Sequence, residues 1–247
     1  MTFLQGEGVG RVTLPGLGIP VGEAAINPTP REMIVREVRA LTQADVDVTI
    51  SVEGGEALAQ RTFNSRVGVV GGISIIGTSG IVAPFSNGAF VESIGRELEV
   101  AYAMGLREVG LVSGKRGEEA LLAEEPSLRV VHYGNFVGEA LRKAYRMGFR
   151  RVVLGVMIGK AVKLAEGHLD THSHKVLMNR DFLVRQAEEV GVTDAAERVG
   201  RITMARELYA CMPPAFFSRV SALCLAHCRT VFPDGELEFR LICDNPV

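Results

Sequence analysis

The sequence predicts an α/β protein whose mostly parallel sheet carries helices on both faces. The first observation is a series of short, almost continuously apolar runs, EVGLVSG (108–114), LRVVHYG (128–134) and RVVLGVMIG (151–159). The second is that amphipathic segments such as FVGEALRKAYRMG (136–148) separate these runs. Runs of this kind are typical of strands buried on both faces, and helices between them favour parallel strands joined by right-handed crossovers. Residues 63–160 are therefore expected to form a Rossmann-like, doubly wound core.

The residues before this core follow a different pattern. Glycine and proline are frequent in residues 1–30, which predicts turns and short strands rather than a helix. REMIVREVRALTQ (31–43) has apolar residues at helical spacing and follows Pro30, so it predicts a helix. VDVTISVEGG (46–55) alternates as a half-buried strand does. The pattern changes after about residue 62.

The core is expected to begin with RVGVVGGISIIGTSG (66–80), an apolar strand that ends in a glycine-bounded turn. FVESIGRELEVAYAMG (90–105) follows as a predicted helix. Residues 176–231 are mostly helical in pattern, with a break at Pro213-Pro214, and ELEFRLIC (236–243) predicts a last strand.

Composition narrows the function classes. Apolar residues make up 47% and charged residues 23% of the 247 residues, which excludes intrinsic disorder. The net charge of −2 gives no field that favours nucleic acid or an anionic membrane. The chain has no apolar run of about 18 residues and no signal peptide, so we expect a cytoplasmic protein that does not span a membrane.

The four cysteines do not form a CxxC motif, and a disulfide framework is not expected at this size. Cys224, His227 and Cys228 resemble a metal cluster in composition. However, Cys224 and Cys228 are four residues apart on a predicted helix, and a zinc site needs four ligands, so we favour a buried apolar stripe.

Two glycine-containing turns could bind a ligand. Gly77, Thr78, Ser79 and Gly80 follow the first predicted strand of the core, where ligands bind in open parallel sheets, although a plain tight turn explains the spacing equally well. VSGKRGEE (112–119) follows the next strand. Nucleoside-binding domains often place an acidic residue near that position, but here Ser113 stands there and Glu118 and Glu119 come later, which favours a solvated basic turn.

The segment GKAVKLAEGHLDTHSHK (159–175) is the richest in chemically active side chains. His168, Asp170, His172 and His174 fall on alternate residues and share one face if the chain is extended. Such a set could ligate zinc or iron, or it could supply a general base and hydrogen bonds to substrate.

Four segments in order, GEGVGRVTLPGLGIPVGEAAINPTPREMI, GGISIIGTSGIVAPFS, GNFVGEAL and GKAVKLAEGHLDTHS, closely resemble the CbiD family. The resemblance covers nearly the whole chain. It implies a cobalt-precorrin-5B C(1)-methyltransferase of anaerobic cobalamin biosynthesis, which transfers a methyl group from S-adenosyl-L-methionine to C-1 and gives cobalt-precorrin-6A. It also implies two domains, a partial α+β domain over residues 1–62 and a Rossmann-like, donor-binding domain over 63–247 with a helical C-terminal part.

The resemblance assigns roles to the residues singled out above. Gly77, Thr78, Ser79 and Gly80 are read as the donor site, and Arg31, Lys160 and Lys163 as cations for the carboxylates of the corrinoid substrate. Arg66 is a further candidate cation. Asp170 and His172 are read as orienting the ring or acting as acid and base, although a structural role, fixing the loop after the last core strand, explains them equally well. No protein-bound metal is expected, because the donor brings the activated methyl group.

Family members usually begin with a GYTTG segment and carry a KDAGDDPDVT-like stretch before GEGVGRVT. This chain begins almost at that motif and therefore looks shortened, so we expect an exposed apolar face on residues 1–62 and self-association into a homo-oligomer. Two other function classes stay open from the residues alone. One is a metal-dependent hydrolase that uses His168, Asp170, His172 and His174, and the other is a non-catalytic corrinoid-binding module.

Overall fold

The structure, a computed structural model, describes residues 1–77, 87–173 and 175–243. The chain forms two compact units, an N-terminal unit (Met1–Gly105) and a C-terminal unit (Leu106–Val247). The helices and strands of the N-terminal unit are β1 (Thr2–Gln5), β2 (Arg11–Val12), α1 (Pro28–Arg39), β3 (Asp47–Ile50), α2 (Gly55–Ala59), β4 (Val69–Val70) and α3 (Asn87–Ala103). Those of the C-terminal unit are β5 (Glu108–Val112), α4 (Lys115–Glu124), β6 (Val130–His132), α5 (Val137–Met147), β7 (Arg151–Met157), α6 (Ile158–Ala165), α7 (Arg180–Glu188), α8 (Ala195–Arg201), α9 (Leu208–Cys211), α10 (Pro214–Arg229) and β8 (Glu236–Ile242).

The N-terminal unit contains two small sheets. Strand β1 pairs with β3 in parallel, and β2 pairs with β4 in antiparallel. One hydrophobic cluster combines Val12, Leu17, Ile19, Ala25 and Val69 with Val100 of α3. Because α3 contributes to this core, the two units divide after Gly105, whereas the sequence pattern led us to expect a boundary near residue 62.

The expectation that residues 66–80 supply the first strand of the parallel sheet is wrong. Of its described residues, 66–77, Val69–Val70 form a strand, and this strand pairs with β2 in the N-terminal unit. The pairing ends at Gly71, which has φ +81°. Gly72 follows against the backbone of Gly8, where a Cβ atom would not fit. The apolar run is characteristic of a strand, but it does not determine which sheet the strand joins.

The C-terminal unit is built on one four-stranded sheet in the order β6-β5-β7-β8, with every pair parallel. Helix α4 covers one face through a cluster of Val112, Leu121, Leu128, Val130 and Val153. Helices α6 and α10 pack against β7 and β8. The predicted α/β class, with a parallel sheet and packed helices, is confirmed.

The helical tail and the cysteines also follow the predictions. Helix α10 begins at Pro214, where the fixed φ of proline is tolerated, so the Pro213-Pro214 pair separates it from α9. Cys224 and Cys228 are fully buried along α10, which confirms the apolar stripe. Among the helices that the structure describes, none is long and apolar enough to cross a membrane.

Candidate functional site

The strand order of the C-terminal unit marks a place where parallel sheets ordinarily bind ligands. The chain passes from β5 to its neighbour β6, and then returns to β7 on the other side of β5. In open α/β sheets, ligands bind outside the carboxyl ends of the strands, at the point where the crossovers change direction. The segments that leave these ends are residues 113–114 after β5, residues 133–136 after β6 and residues 158–160 after β7.

Asn135 joins two of these segments. Its backbone oxygen accepts hydrogen bonds from the Thr171 N–H (3.0 Å) and the Thr171 hydroxyl (3.3 Å). Its side-chain oxygen accepts a hydrogen bond from the Lys160 ammonium. The Gly138 N–H donates to the Leu169 oxygen (3.0 Å). The sequence motifs GNFVGEAL and GKAVKLAEGHLDTHS therefore form one structure at the edge of the sheet.

Lys160 and Lys163 bring positive charge into this structure. The side chain of Lys163 is 9% exposed, and its Nζ lies 3.3 Å from the Thr171 oxygen. Burial lowers the pKa of Lys163, and it also lowers the pKa of Lys160, with a further contribution from the charge of Lys163. Within the described ranges, neither ammonium lies within 4.0 Å of a carboxylate oxygen. The charge of Asp170 partly offsets the lowered pKa of the half-buried Lys160, whereas no carboxylate among the described residues does so for Lys163. A buried cation of this kind is costly, so Lys163 in particular is suited to receive an anionic ligand.

Asp170 and His172 lie on the same loop as Thr171. Asp170 accepts a hydrogen bond from the His172 N–H (3.2 Å), and its other oxygen lies 2.7 Å from the Lys175 ammonium. Burial alone would raise the pKa of Asp170, but the hydrogen bonds from Lys175 and His172 outweigh it and hold that pKa below its ordinary value. Asp170 is therefore a carboxylate at neutral pH and cannot donate a proton.

The alternative metal site gains no support from the described part of this loop. His168 faces Glu166 at 3.7 Å between Nε2 and Oε2, and His174 lies outside the described residues. Across residues 1–77, 87–173 and 175–243, no three His, Cys, Asp or Glu side chains are grouped so that they could hold a metal ion.

The turn after β5 contains a pair that sequence reasoning missed. Lys115 and Glu119 are exposed, as a solvated basic turn requires. Glu118, however, is largely buried, and its Oε2 lies 2.9 Å from Nε2 of His132, the last residue of β6. The residues are 14 positions apart, so no short motif relates them. The sequence offers one indication of Glu118: nucleoside-binding domains often place an acidic residue near the end of the strand that precedes this turn.

The predicted site residues of the N-terminal unit lie elsewhere. Gly77 has φ +52°, and a Cβ atom there would lie 3.0 Å from Pro30 Cβ. Thr78, Ser79 and Gly80 lie outside the described residues. The Arg31 guanidinium is held by Glu23 (2.7 Å) and by the Ile26 oxygen (2.8 Å). The sequence motifs that contain Gly77 and Arg31 meet in the N-terminal unit, but the strand preceding Gly77 does not belong to the parallel sheet.

Arg66, the further candidate cation, forms an ion pair with the buried Glu97 at 2.8 Å. A cavity of about 210 Å³ in the N-terminal unit is lined mainly by apolar side chains, and its lining includes Phe63, Val69 and Ile76. This volume is below the range of about 300–1,000 Å³ typical of drug-sized ligands, so the cavity is too small to enclose a tetrapyrrole.

Comparisons with known proteins identify the family. The CbiD profile matches residues 1–84. A cobalt-precorrin-5B C(1)-methyltransferase from Prosthecochloris aestuarii is 42% identical over 97% of this chain and 69% of its own length. Proteins of the same name from Thermus thermophilus (43% identical, 82% of this chain, 57% of the relative) and Geobacillus thermodenitrificans (46%, 77%, 53%) also match. The chain thus spans little more than half the length of these two relatives.

Among solved structures, the crystal structure of a cobalamin biosynthesis protein (cbiD) from Archaeoglobus fulgidus matches with 24% identity and a TM-score of 0.26, over 70% of this chain and 55% of that one. The sequence relatives suffice for the assignment, because the first of them is similar across nearly the whole chain. The resemblance read from the four motifs is thereby confirmed. The chain belongs to the CbiD family of cobalt-precorrin-5B C(1)-methyltransferases.

Proposed function

We propose that this chain transfers a methyl group from S-adenosyl-L-methionine to C-1 of cobalt-precorrin-5B, giving cobalt-precorrin-6A in cobalamin biosynthesis. The observation that carries the proposal is the 42% identity with a protein of that name over 97% of the chain. The chain spans only part of the length of each relative, so the activity of the relatives comes to this chain as a proposal. A metal-dependent hydrolase has no comparable support.

The C-terminal unit offers backbone that suits the methyl donor, and we propose that its sheet works as a Rossmann-like ligand platform. A Cβ atom built on Gly114 or on Gly159 would meet none of the described residues within 4 Å, so the described part of the chain leaves open space beside the ends of β5 and β7. Glycine at such places lets a ligand approach the backbone closely. When bound, the donor supplies a methyl group that is already activated on a sulfonium.

We propose that Lys160 and Lys163 hold carboxylates of the corrinoid. The substrate is a macrocycle fringed with carboxylates, and desolvated ammonium groups bind such anions more strongly than exposed ones do. Lys160 is oriented by Asn135, and both lysines are near the end of β7, beside Gly159. Arg31 is also proposed as a substrate cation, although its guanidinium already binds Glu23.

Asp170 and His172 are proposed to orient the macrocycle or to move a proton. The ionised Asp170 can accept a proton or hold a cation, and the imidazole of His172 offers ring nitrogens that can donate or accept a hydrogen bond. The main contribution to catalysis is the positioning of donor and acceptor, since proximity and orientation can lower the activation barrier by roughly 7–11 kcal/mol. If Asp170→Asn and His172→Ala both retain full turnover, neither residue has this role.

The reaction is tested by incubating the chain with methyl-labelled S-adenosyl-L-methionine and cobalt-precorrin-5B, followed by mass analysis of the tetrapyrrole. One added labelled methyl group at C-1 is the expected product. A chain that binds the corrinoid and leaves its mass unchanged would instead be a binding module, the alternative left open by the residues alone.

A further inference from the structure

Glu118 places a carboxylate at the carboxyl end of the parallel sheet, next to the glycine turn that follows β5. Its Oε2 lies 2.9 Å from His132 Nε2, and both side chains are largely buried. His132 ends β6 and is in register with Val112, the last residue of β5. The contact with His132 therefore holds the Glu118 carboxylate beside the ends of β5 and β6. The crossovers of the sheet change direction at β5.

A carboxylate in this place has the chemistry to bind a ribose. A carboxylate offers about four acceptor positions, so it can bind several hydrogen-bond donors at once, including a pair of neighbouring hydroxyls. In nucleotide-binding folds an acidic residue about 20 residues after the first glycine turn accepts a hydrogen bond from a ribose hydroxyl. His132 stands 18 residues after Gly114, and Glu118 brings the carboxylate to it from helix α4.

The glycines of the turn support the same assignment. Gly114 has an extended backbone with φ 172°, and a Cβ atom there would meet no atom of residues 1–77, 87–173 or 175–243 within 4 Å. Gly117 is different, because its Cβ would lie 3.0 Å from Val112 Cβ. Gly117 thus lets α4 pack closely on the sheet, while Gly114 leaves space at the mouth of the turn. Close packing therefore explains the glycine at position 117, whereas the glycine at position 114 is consistent with the approach of a ligand.

We propose that Glu118, held in place by His132, binds the ribose hydroxyls of the adenosyl donor over the open backbone of Gly114. The assignment rests on the proposed function, since it takes an adenosyl compound as the ligand. It relocates the donor from the Gly77 turn to the turn after β5, which is the first strand of the parallel sheet in the structure.

The test measures the binding of S-adenosylhomocysteine to the full chain by calorimetry. Glu118→Gln should weaken binding at least about tenfold, as expected for the loss of charge-assisted hydrogen bonds. Glu119→Gln is the matched control, because it makes the same charge change one residue away on an exposed side chain that faces Lys115. Equal affinities of the two variants would overturn the proposal.

A ligand change isolates the ribose. The wild-type chain should bind 2′-deoxy-S-adenosylhomocysteine more weakly than the parent compound, and Glu118→Gln should discriminate much less between them. Unchanged discrimination in the variant would refute ribose recognition by this carboxylate.

Gly114→Val serves as a second variant in case Glu118→Gln does not fold. Its side chain points into open space on an extended backbone, so the variant should fold normally and bind S-adenosylhomocysteine at least about tenfold more weakly. If Gly77→Val abolishes binding while Gly114→Val does not, the donor site is the Gly77 turn and the proposal is wrong.

Failure of the proposal can be separated from failure of the proposed function. If labelled methyl reaches the tetrapyrrole but Glu118→Gln binds the donor like wild type, the reaction stands and the ribose assignment falls. If the chain binds S-adenosylhomocysteine through Glu118 but methylates no corrinoid, the ribose assignment stands and the reaction falls. A wild-type chain that binds no adenosyl compound overturns the ribose assignment directly.

Discussion

Lys163 lowers the stability of the folded chain in return for its proposed role in binding a carboxylate of the corrinoid. Its ammonium is almost fully buried, and its contact with the Thr171 oxygen leaves most of its hydrogen-bonding capacity unused. A core position would favour methionine, which has a similar length and no charge to desolvate. The lysine is therefore best explained by a ligand that supplies the missing negative charge.

Lys163→Met should raise the free energy of unfolding at pH 7 by about 1 kcal/mol. It should also weaken corrinoid binding at least tenfold, because an anion loses its desolvated partner. Chemical denaturation and a binding titration measure the two effects, with Lys115→Met, at an exposed position, as the control. A variant that is less stable and binds normally would contradict this account.

The same lysine predicts a pH dependence of stability. Burial lowers the pKa of Lys163 in the folded state below the ordinary lysine value of about 10.5. Between those two pKa values the unfolded chain binds a proton that the folded chain does not, so the stability contributed by this residue rises with pH across that window. Denaturation of wild type and Lys163→Met between pH 7 and 10.5 should show their difference shrinking as pH rises. A constant difference would mean that Lys163 keeps its ordinary pKa.

At the scale of elements, the contact of α5 with the loop after α6 shapes the candidate site. Gly138 in the first turn of α5 donates its N–H to the Leu169 oxygen, and a Cβ atom there would lie 2.8 Å from Leu169 Cβ. Glycine is needed because backbone meets backbone at this point. The loop that carries Asp170 and His172 depends on this approach.

Gly138→Ala should destabilise the C-terminal unit by about 1–3 kcal/mol, because the methyl group must displace the loop. Amide exchange should accelerate over residues 166–173, where Thr171 loses its fixed position on Asn135. Gly200→Ala in α8 is the control, since a Cβ there meets no described residue within 4 Å and alanine should stabilise that helix by about 0.5–1 kcal/mol. Equal stability of the two variants would show that the loop does not depend on this contact.

The sequence pattern predicts where most helices and strands lie, but it does not predict which strands pair with each other. The apolar runs at 108–114, 128–134 and 151–159 each contain an observed strand, because near-continuous burial leaves a clear pattern. The alternating segment 236–243 also contains one. The run at 66–80 has the same character but pairs with β2, ten residues from the N-terminus. Periodicity describes the faces of a strand and carries no information about its neighbour, so the sequence could not show which sheet the strand before Gly77 joins.

The same limit explains which residues of the candidate site were found. Lys160, Lys163, Asp170 and His172 lie in one short segment, so their chemistry was visible as a cluster in the sequence. Glu118 and His132 meet only after α4 folds back on β6. A pair formed by tertiary packing leaves no spacing that can be recognised in advance.

At the scale of the whole molecule, exposed apolar side chains are unevenly distributed. Among the described residues, ten of the thirteen large apolar side chains that are exposed lie in the N-terminal unit, with Leu41 88% and Leu58 48% exposed. Single exposed apolar residues are ordinary, but a larger number of them in one unit increases the apolar area that association can bury. This distribution supports the predicted self-association, which stays a prediction.

Analytical ultracentrifugation at micromolar concentration should therefore detect species larger than the 26.6 kDa monomer. Leu41→Ser combined with Leu58→Ser should shift the equilibrium toward monomer, because each substitution removes apolar area that association would bury, at about 25 cal/mol per Å². Leu177→Ser is the matched control, since Leu177 is 80% exposed but belongs to the C-terminal unit. If the wild-type chain sediments as a single monomer over the whole concentration range, the apolar side chains of the N-terminal unit do not drive association. If Leu177→Ser dissociates the assembly as well as the double variant does, association depends on the C-terminal unit instead.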